Sequence, residues 1–261
     1  YGKFIELNES SFQYRRSTEE NCIAMLRACK KYETEITVNT DCHYAGLIGQ
    51  TPLTEKILEL YPQGECALEY RDPFELLVAS RLSAQCTDVR VNIVTAEMFK
   101  KLKTPEDFAS APVEEIENYI RSCGLFHTKA RDIKAMSQMI LDEFDGKVPD
   151  NMQDLLRLPG VGRKIANLIL GEVYGAKGSV VADTHCIRLS NRLGYSQSTN
   201  PAVVERDLRA VLPPEKSMTF CHALVSHGRA VCKAQRPDCE NCALKGDCKY
   251  ARERQKEKIG K

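Results

Sequence analysis

The chain has 261 residues, 43% hydrophobic and 28% charged, enough to bury one large core or two modest ones and too apolar to default to disorder. No apolar run approaches the roughly 20 residues that cross a bilayer, and residues 1–20 lack a charged start followed by an apolar core, so neither membrane insertion nor secretion is expected and the cytoplasm is the expected compartment. The net charge of +1 averages over an uneven chain: residues 1–72 carry 8 basic and 12 acidic side chains, residues 216–261 carry 11 and 5. The C-terminal end is therefore the part able to meet phosphates, a solvated basic tail being the plainer reading of Lys249–Lys261 alone.

Residues 1–50 read as β-α-β: a strand at Phe4-Ile5-Glu6-Leu7, a helix over roughly Glu19–Lys31 and a strand at Ile36–Asn39. Thr37-Val38-Asn39-Thr40-Asp41-Cys42-His43, with Glu6-Leu7-Asn8-Glu9-Ser10-Ser11, resembles the last β-α-β unit of metal-dependent phosphatases of the PHP family. That resemblance implies that Asp41 and His43 match metal ligands. Two ligands alone hold metal weakly, so this stretch is expected to be a remnant outside the chemistry.

From about Thr54 the apolar spacing of three and four predicts a nearly all-α protein of about ten short helices. Phe74, Leu77, Val78 and Leu82 fit one helical face, and Ile133, Met136, Met139 and Ile140 another. Breaks are expected at Pro105, Pro112, Gly124, Pro149, Pro159-Gly160, Gly175 to Gly178, Gly194 and Pro213-Pro214.

Leu155 to Lys164 reads as helix, tight turn, helix. Pro159 stops the first helix, while Gly160 and Gly162 permit positive φ and leave backbone N–H groups uncovered. With Val161 and Arg163, this turn opens a helix whose first amides can cradle a phosphate oxygen, although a bare PGxG is also an ordinary helix–helix turn. Lys164 falls in the first turn of the second helix, where the positive dipole end and Arg163 disfavour an ammonium, as suits a lysine nucleophile. Val180-Val181-Ala182-Asp183-Thr184-His185 then predicts an apolar run ending at a carboxylate that caps a helix over Thr184–Leu193. Capping and catalysis are compatible at Asp183, since a cap fixes the carboxylate.

Twelve cysteines without a secretory signal argue against a disulfide scaffold. Eight are scattered; Cys232, Cys239, Cys242 and Cys248 follow C-x6-C-x2-C-x5-C, a spacing that brings four thiolates to one thiophilic centre, zinc or iron–sulfur. Lys233, Arg236 and Lys245 lie inside these loops, where ligation would hold cations rigid for phosphate contacts.

Leu82-Ser83-Ala84-Gln85-Cys86-Thr87-Asp88, Leu158 to Lys164, Val181 to His185 and the four cysteines, in this order, resemble the endonuclease III family over about Thr54–Lys249. The resemblance implies an all-α, two-domain helix-hairpin-helix DNA glycosylase with a C-terminal cluster loop, here preceded by the β-α-β extension. Residues 66–176 would form a six-helix domain carrying the hairpin, and 51–65 plus 177–261 a domain bearing a structural [4Fe–4S] cluster. It also implies that Lys164 is the Schiff-base lysine and Asp183 its aspartate, that Gln85 fills the hole left by an extruded base, that Leu125 wedges the opposite strand, and that His185 lines the pocket. Ile165 and Ala182 depart from a Thr and a Val common in the family, and neither departure changes a reacting group.

The expected function is excision of oxidised pyrimidines from double-stranded DNA and cleavage 3′ to the abasic site, by a monomer in a bacterial cytosol or nucleoid. Three rivals are a monofunctional mismatch glycosylase of the same fold, which lacks the lysine, a non-catalytic DNA-binding module with a structural metal, and a phosphatase centred on Asp41 and His43.

Overall fold

The computed structural model describes residues 4–8, 35–39 and 50–259, and the side chains of 53–255. β1 (Phe4–Asn8) pairs in parallel with β2 (Glu35–Asn39), Phe4 opposite Glu35 and Asn8 opposite Asn39. The helix expected at Glu19–Lys31, and Asp41 and His43, lie outside the described residues. Among the described residues, those from Gln50 to Ile259 are helical or irregular: α1 (Gln50–Leu60), α2 (Pro73–Leu82), α3 (Asp88–Lys101), α4 (Pro105–Ser110), α5 (Val113–Ile120), α6 (Phe126–Phe144), α7 (Met152–Leu155), α8 (Arg163–Glu172), α9 (Thr184–Leu193), α10 (Pro201–Val211), a 3-10 turn Pro214–Lys216, α11 (Ser217–Ala230) and α12 (Lys249–Ile259).

The punctuation residues act as their chemistry requires. Asp72, Thr87, Thr104, Asn151, Asp183 and Asn200 each cap a helix by accepting a backbone N–H, and Pro105 and Pro201 occupy first turns, where a missing N–H costs nothing. Gly194 closes α9 at φ 103°, a left-handed position that suits glycine.

These helices build two hydrophobic cores. The first gathers side chains from Leu68 to Leu170, and the second takes Leu53 and Ile57 of α1 together with residues from Val180 to Ala251. The chain thus starts in the second core, leaves to build the first, and returns at Val180. Val181 packs against both.

Phe74, Leu77, Val78 and Leu82 of α2 are buried as the apolar spacing implied, and burial extends beyond that face. Eight of the ten α2 residues are buried, including Glu75, because α3, α6 and α8 surround the helix. Glu75 tolerates burial because Arg71 donates to it from side chain and backbone. In the second core Phe220 is fully buried and meets Tyr195 edge to face, with ring centroids 5.2 Å apart. α11, which carries Phe220, packs against α1, α8 and α9 and so links the elements that hold the candidate site. Phe220→Ala is expected to lower stability by about 3–5 kcal/mol, through lost burial and the cavity left behind, read as a lower denaturant midpoint at unchanged slope.

Candidate active site and cysteine loop

The hairpin is anchored from below. Leu158, Val161 and Ile165 are buried in the first core, and the Val161 N–H closes the turn on the Leu158 carbonyl at 3.1 Å. The two glycines differ, which corrects part of the sequence expectation. Gly160 sits at φ 75°, and a Cβ there would lie 2.5 Å from Arg81 Nε and 2.9 Å from Asp132 Oδ2, partners in an ion pair beneath the turn. Gly162 sits at φ −105° in extended backbone, and a Cβ there would meet nothing within 4 Å. Its missing side chain leaves the start of α8 open, and no side chain caps that helix.

Arg163, expected to face phosphate, is instead turned to α10. Its Nε and Nη2 donate to the buried Glu205 at 3.1 and 2.5 Å, and Arg209 pairs with the same carboxylate. Burial of a carboxylate without cations is unfavourable, and Arg163 is one of two that compensate Glu205. Lys164, one residue on, is exposed, and its amine makes no hydrogen bond or ion pair among the described residues.

Asp183 caps α9, with Oδ1 accepting the Cys186 N–H at 2.7 Å. The segment before it is fixed by burial of Val180 and by the Val181 N–H, which donates to Cys221 Sγ at 3.4 Å. Lys164 is therefore rooted in the first core and Asp183 in the second, on helices that both pack against α11.

His185 lies in the first turn of α9. Arg188 Nη2 donates to its Nδ1 at 3.2 Å, which leaves the proton of the neutral ring on Nε2. Burial holds the imidazole below its ordinary pKa against the opposing pull of Asp183, and the Arg188 and Arg229 guanidiniums act with burial. Arg229 pairs with Asp88 at the start of α3, so charges from both cores reach His185. Gly228 makes room for this arrangement: a Cβ there would lie 2.7 Å from His185 Nδ1 and 2.9 Å from Arg188.

Gln85 and Leu125 are both exposed, and both take left-handed backbone, φ 53° and 60°. For non-glycine residues this costs roughly 1–2 kcal/mol each, a strain that persists only where the surroundings impose it. Their turns touch, since a Cβ on Gly124 would lie 3.3 Å from the Gln85 carbonyl oxygen.

Cys232, Cys239, Cys242 and Cys248 line one small cavity, closed by Leu193, Val231, Pro237, Leu244, Tyr250 and Ala251 among others. Three of the sulfurs have nitrogen partners: Arg192 Nη1 donates to Cys232 at 3.2 Å, His227 Nε2 lies 3.5 Å from Cys242, and Arg254 Nη1 donates to Cys239 at 3.8 Å. Burial pushes the Cys242 and Cys248 thiols up, and repulsion among the cysteines adds to it. Arg192 also binds the carbonyls of Lys233 and Ala234, and Arg188 those of Gly228 and Cys232, so α9 grips the loop. Of the loop cations, Lys233 and Arg236 are exposed, Arg236 at φ 53°, whereas Lys245 is engaged by Glu240.

Residues 78–214 match the family model of the HhH-GPD superfamily of base excision DNA repair proteins. Endonuclease III of Synechocystis sp. is 45% identical over 193 residues, 74% of this chain and 88% of that protein. Endonuclease III of Bacillus subtilis is 41% identical over 79% of this chain and 94% of its own length. This chain belongs to the endonuclease III family.

Among solved structures, a trapped endonuclease III–DNA covalent intermediate superposes with a TM-score of 0.75 at 39% identity, over 79% of this chain and 97% of that one. A non-covalent endonuclease III–DNA complex gives 0.76 at 39% identity with the same coverage. The fold described above is thus the endonuclease III fold, and the chain is a base excision DNA repair enzyme.

Sequence reasoning missed Arg188, Arg192, Asp88 and Arg229. The first two had a legible signal, since positions 188 and 192 share one face of the helix that starts at Asp183. Nothing local marked the Asp88–Arg229 pair, whose members are 141 positions apart. The hairpin glycines are separable by experiment: Gly160→Ala is expected to cost about 1–3 kcal/mol through positive φ and the clash with Arg81, whereas Gly162→Ala should stay within roughly 0.5 kcal/mol. Thermal melts giving equal losses would contradict this reading of the turn.

Proposed function

We propose that this enzyme is a bifunctional DNA glycosylase and abasic-site lyase that excises oxidised pyrimidines from duplex DNA, with Lys164 as nucleophile and Asp183 as its carboxylate partner. One observation carries the reading: Lys164 holds an exposed, unengaged amine among the described residues, on a buried hairpin, while the neighbouring cation Arg163 is consumed by Glu205. A nucleophile must be reachable and unpaired, and its backbone must not move.

In this mechanism the open start of α8 receives a backbone phosphate at Gly160, Val161 and Gly162, and Lys233 and Arg236 add exposed cations. The damaged base leaves the stack, which its weakened pairing favours, with Gln85 and Leu125 inserting into the gap. The capped Asp183 assists loss of a proton from the Lys164 ammonium and stabilises positive charge on the sugar. Lys164 Nζ bonds to C1′ as the bond from C1′ to the base breaks, and the base departs. The attached nitrogen gives up a proton, which passes to O4′ as the C1′–O4′ bond opens, and the iminium so formed acidifies the C2′ proton. Its removal expels the 3′ phosphate by β-elimination, and water then hydrolyses the imine to release Lys164. His185, with its proton on Nε2, is suited to donate a hydrogen bond to the extruded nucleotide.

The four cysteines fit a [4Fe–4S] cluster. Their cavity has largely apolar walls, and guanidinium N–H donors of Arg192 and Arg254 face two of the sulfurs, compensating thiolate charge. When bound, the cluster supplies cross-linking of the loop. The chain's own residues then hold Lys233 and Arg236 outward and tie the loop to α9.

Borohydride reduction with abasic-site DNA should trap a covalent adduct with the wild type and none with Lys164→Ala, the rate falling by on the order of 10³-fold or more while binding persists. An undiminished adduct in that variant would refute the assignment. Protein as isolated should absorb broadly in the visible and yield iron and acid-labile sulfide in equal amounts. Zinc in their place sinks the cluster reading but leaves the lysine chemistry standing.

A further inference from the structure

The Gln85 and Leu125 turns meet over a single buried lysine. Lys129, in the first turn of α6, is fully buried. Its Nζ donates to the carbonyl of Leu82, the last residue of α2, at 2.8 Å, and its own N–H donates to the Leu125 carbonyl at 3.0 Å. One residue therefore holds the end of the helix that leads into Gln85 and the start of the helix that follows Leu125.

A lysine is an unfavourable choice for filling that space. Burial pushes its pKa down, and no carboxylate pairs with it among the described residues. Its other titratable neighbours are the thiols of Cys86 and Cys123 and the Arg81 guanidinium, which acts with burial, and burial pushes the Cys123 thiol up to about 11. Methionine, of similar length, would fill the site without desolvating a charge. What methionine cannot do is donate to an orphan carbonyl at the C-terminal end of α2, where a cation is also favoured by the helix dipole. The turns above need such a restraint, because Gln85 and Leu125 both occupy left-handed backbone that relaxes unless it is held.

We propose that Lys129 is a positioning residue for base extrusion, clamping the Gln85 turn to the Leu125 turn so that both side chains reach the duplex at one fixed separation. The proposal rests on the reading of Gln85 and Leu125 as the inserting residues. Lys129 touches no DNA and acts only through the two turns.

The test is Lys129→Met in the full-length, cluster-bearing protein, with Gln85→Ala and Leu125→Ala as references. Three quantities are measured: thermal stability, hydrogen exchange of amides 83–87 and 122–126 against those of α2 and α6, and extrusion reported by 2-aminopurine fluorescence beside an abasic-site analogue. The expected result is an unchanged or raised melting temperature, protection lost in the two turns alone, and extrusion slowed by as much as about 100-fold, with duplex affinity nearly unchanged. Wild-type extrusion in Lys129→Met, where Gln85→Ala and Leu125→Ala are impaired, overturns the proposal alone. Normal extrusion in both reference variants sinks the reading of the turns and the proposal with it. If Lys129→Met does not accumulate folded, Lys129→Gln, which keeps an N–H donor, is measured in the same way; loss of protection throughout α2 and α6 in that variant as well shows a purely structural lysine and overturns the proposal.

Discussion

A lysine that is to attack carbon must be uncovered, yet the backbone beneath it must be immobile, and the hairpin at 158–164 meets both demands through one contact. Gly160 lies against the Arg81–Asp132 ion pair with no room for a Cβ, so the turn closes onto the first core and presents the start of α8 outward. Val161 and Ile165 bury the flanks of the same turn, and Lys164 is exposed between them. Loosening the Arg81 floor would move the amine and the open helix start together, so in the proposed mechanism contact with phosphate and reach to the sugar depend on the same packing.

α9 plays the corresponding part in the second core. Its N-terminus is capped by Asp183, its first turn carries His185, and Arg188 and Arg192 reach the backbone carbonyls and one sulfur of the cysteine loop. A guanidinium with several donors in fixed directions suits this role better than an ammonium. The consequence is that the loop carrying Lys233 and Arg236 and the carboxylate at Asp183 are held by opposite ends of one short helix. On the proposed chemistry, the metal centre contributes by making that end of the helix rigid.

Gln85, Leu125 and Arg236 are non-glycine residues in left-handed backbone, and all three are exposed at places proposed to meet DNA. Asp145, the fourth such residue, closes the C-terminal end of α6 and is explained by capping geometry instead. Strain alone therefore does not identify a site: Leu125 stands at the N-terminal end of α6 with no side-chain cap, so its conformation, unlike that of Asp145, is not the usual helix-closing geometry.

Much of this could be read from the sequence because it is local. The 3.6-residue spacing gave the helices, Asp183 at the end of an apolar run gave the cap of α9, and four cysteines within seventeen positions gave the loop. Contacts between residues distant in the chain could not be read: Arg163 turning to Glu205 rather than outward, α2 buried nearly all round, Arg229 pairing with Asp88, and Lys129 joining two turns. The sequence by itself determined which residue types stand next to one another along each helix, since backbone hydrogen bonding and side-chain period act over a few residues. Which of those side chains are consumed as partners and which stay free to react was decided only by the packing of the two cores, because a charge is neutralised by whatever the fold brings within a few ångströms of it.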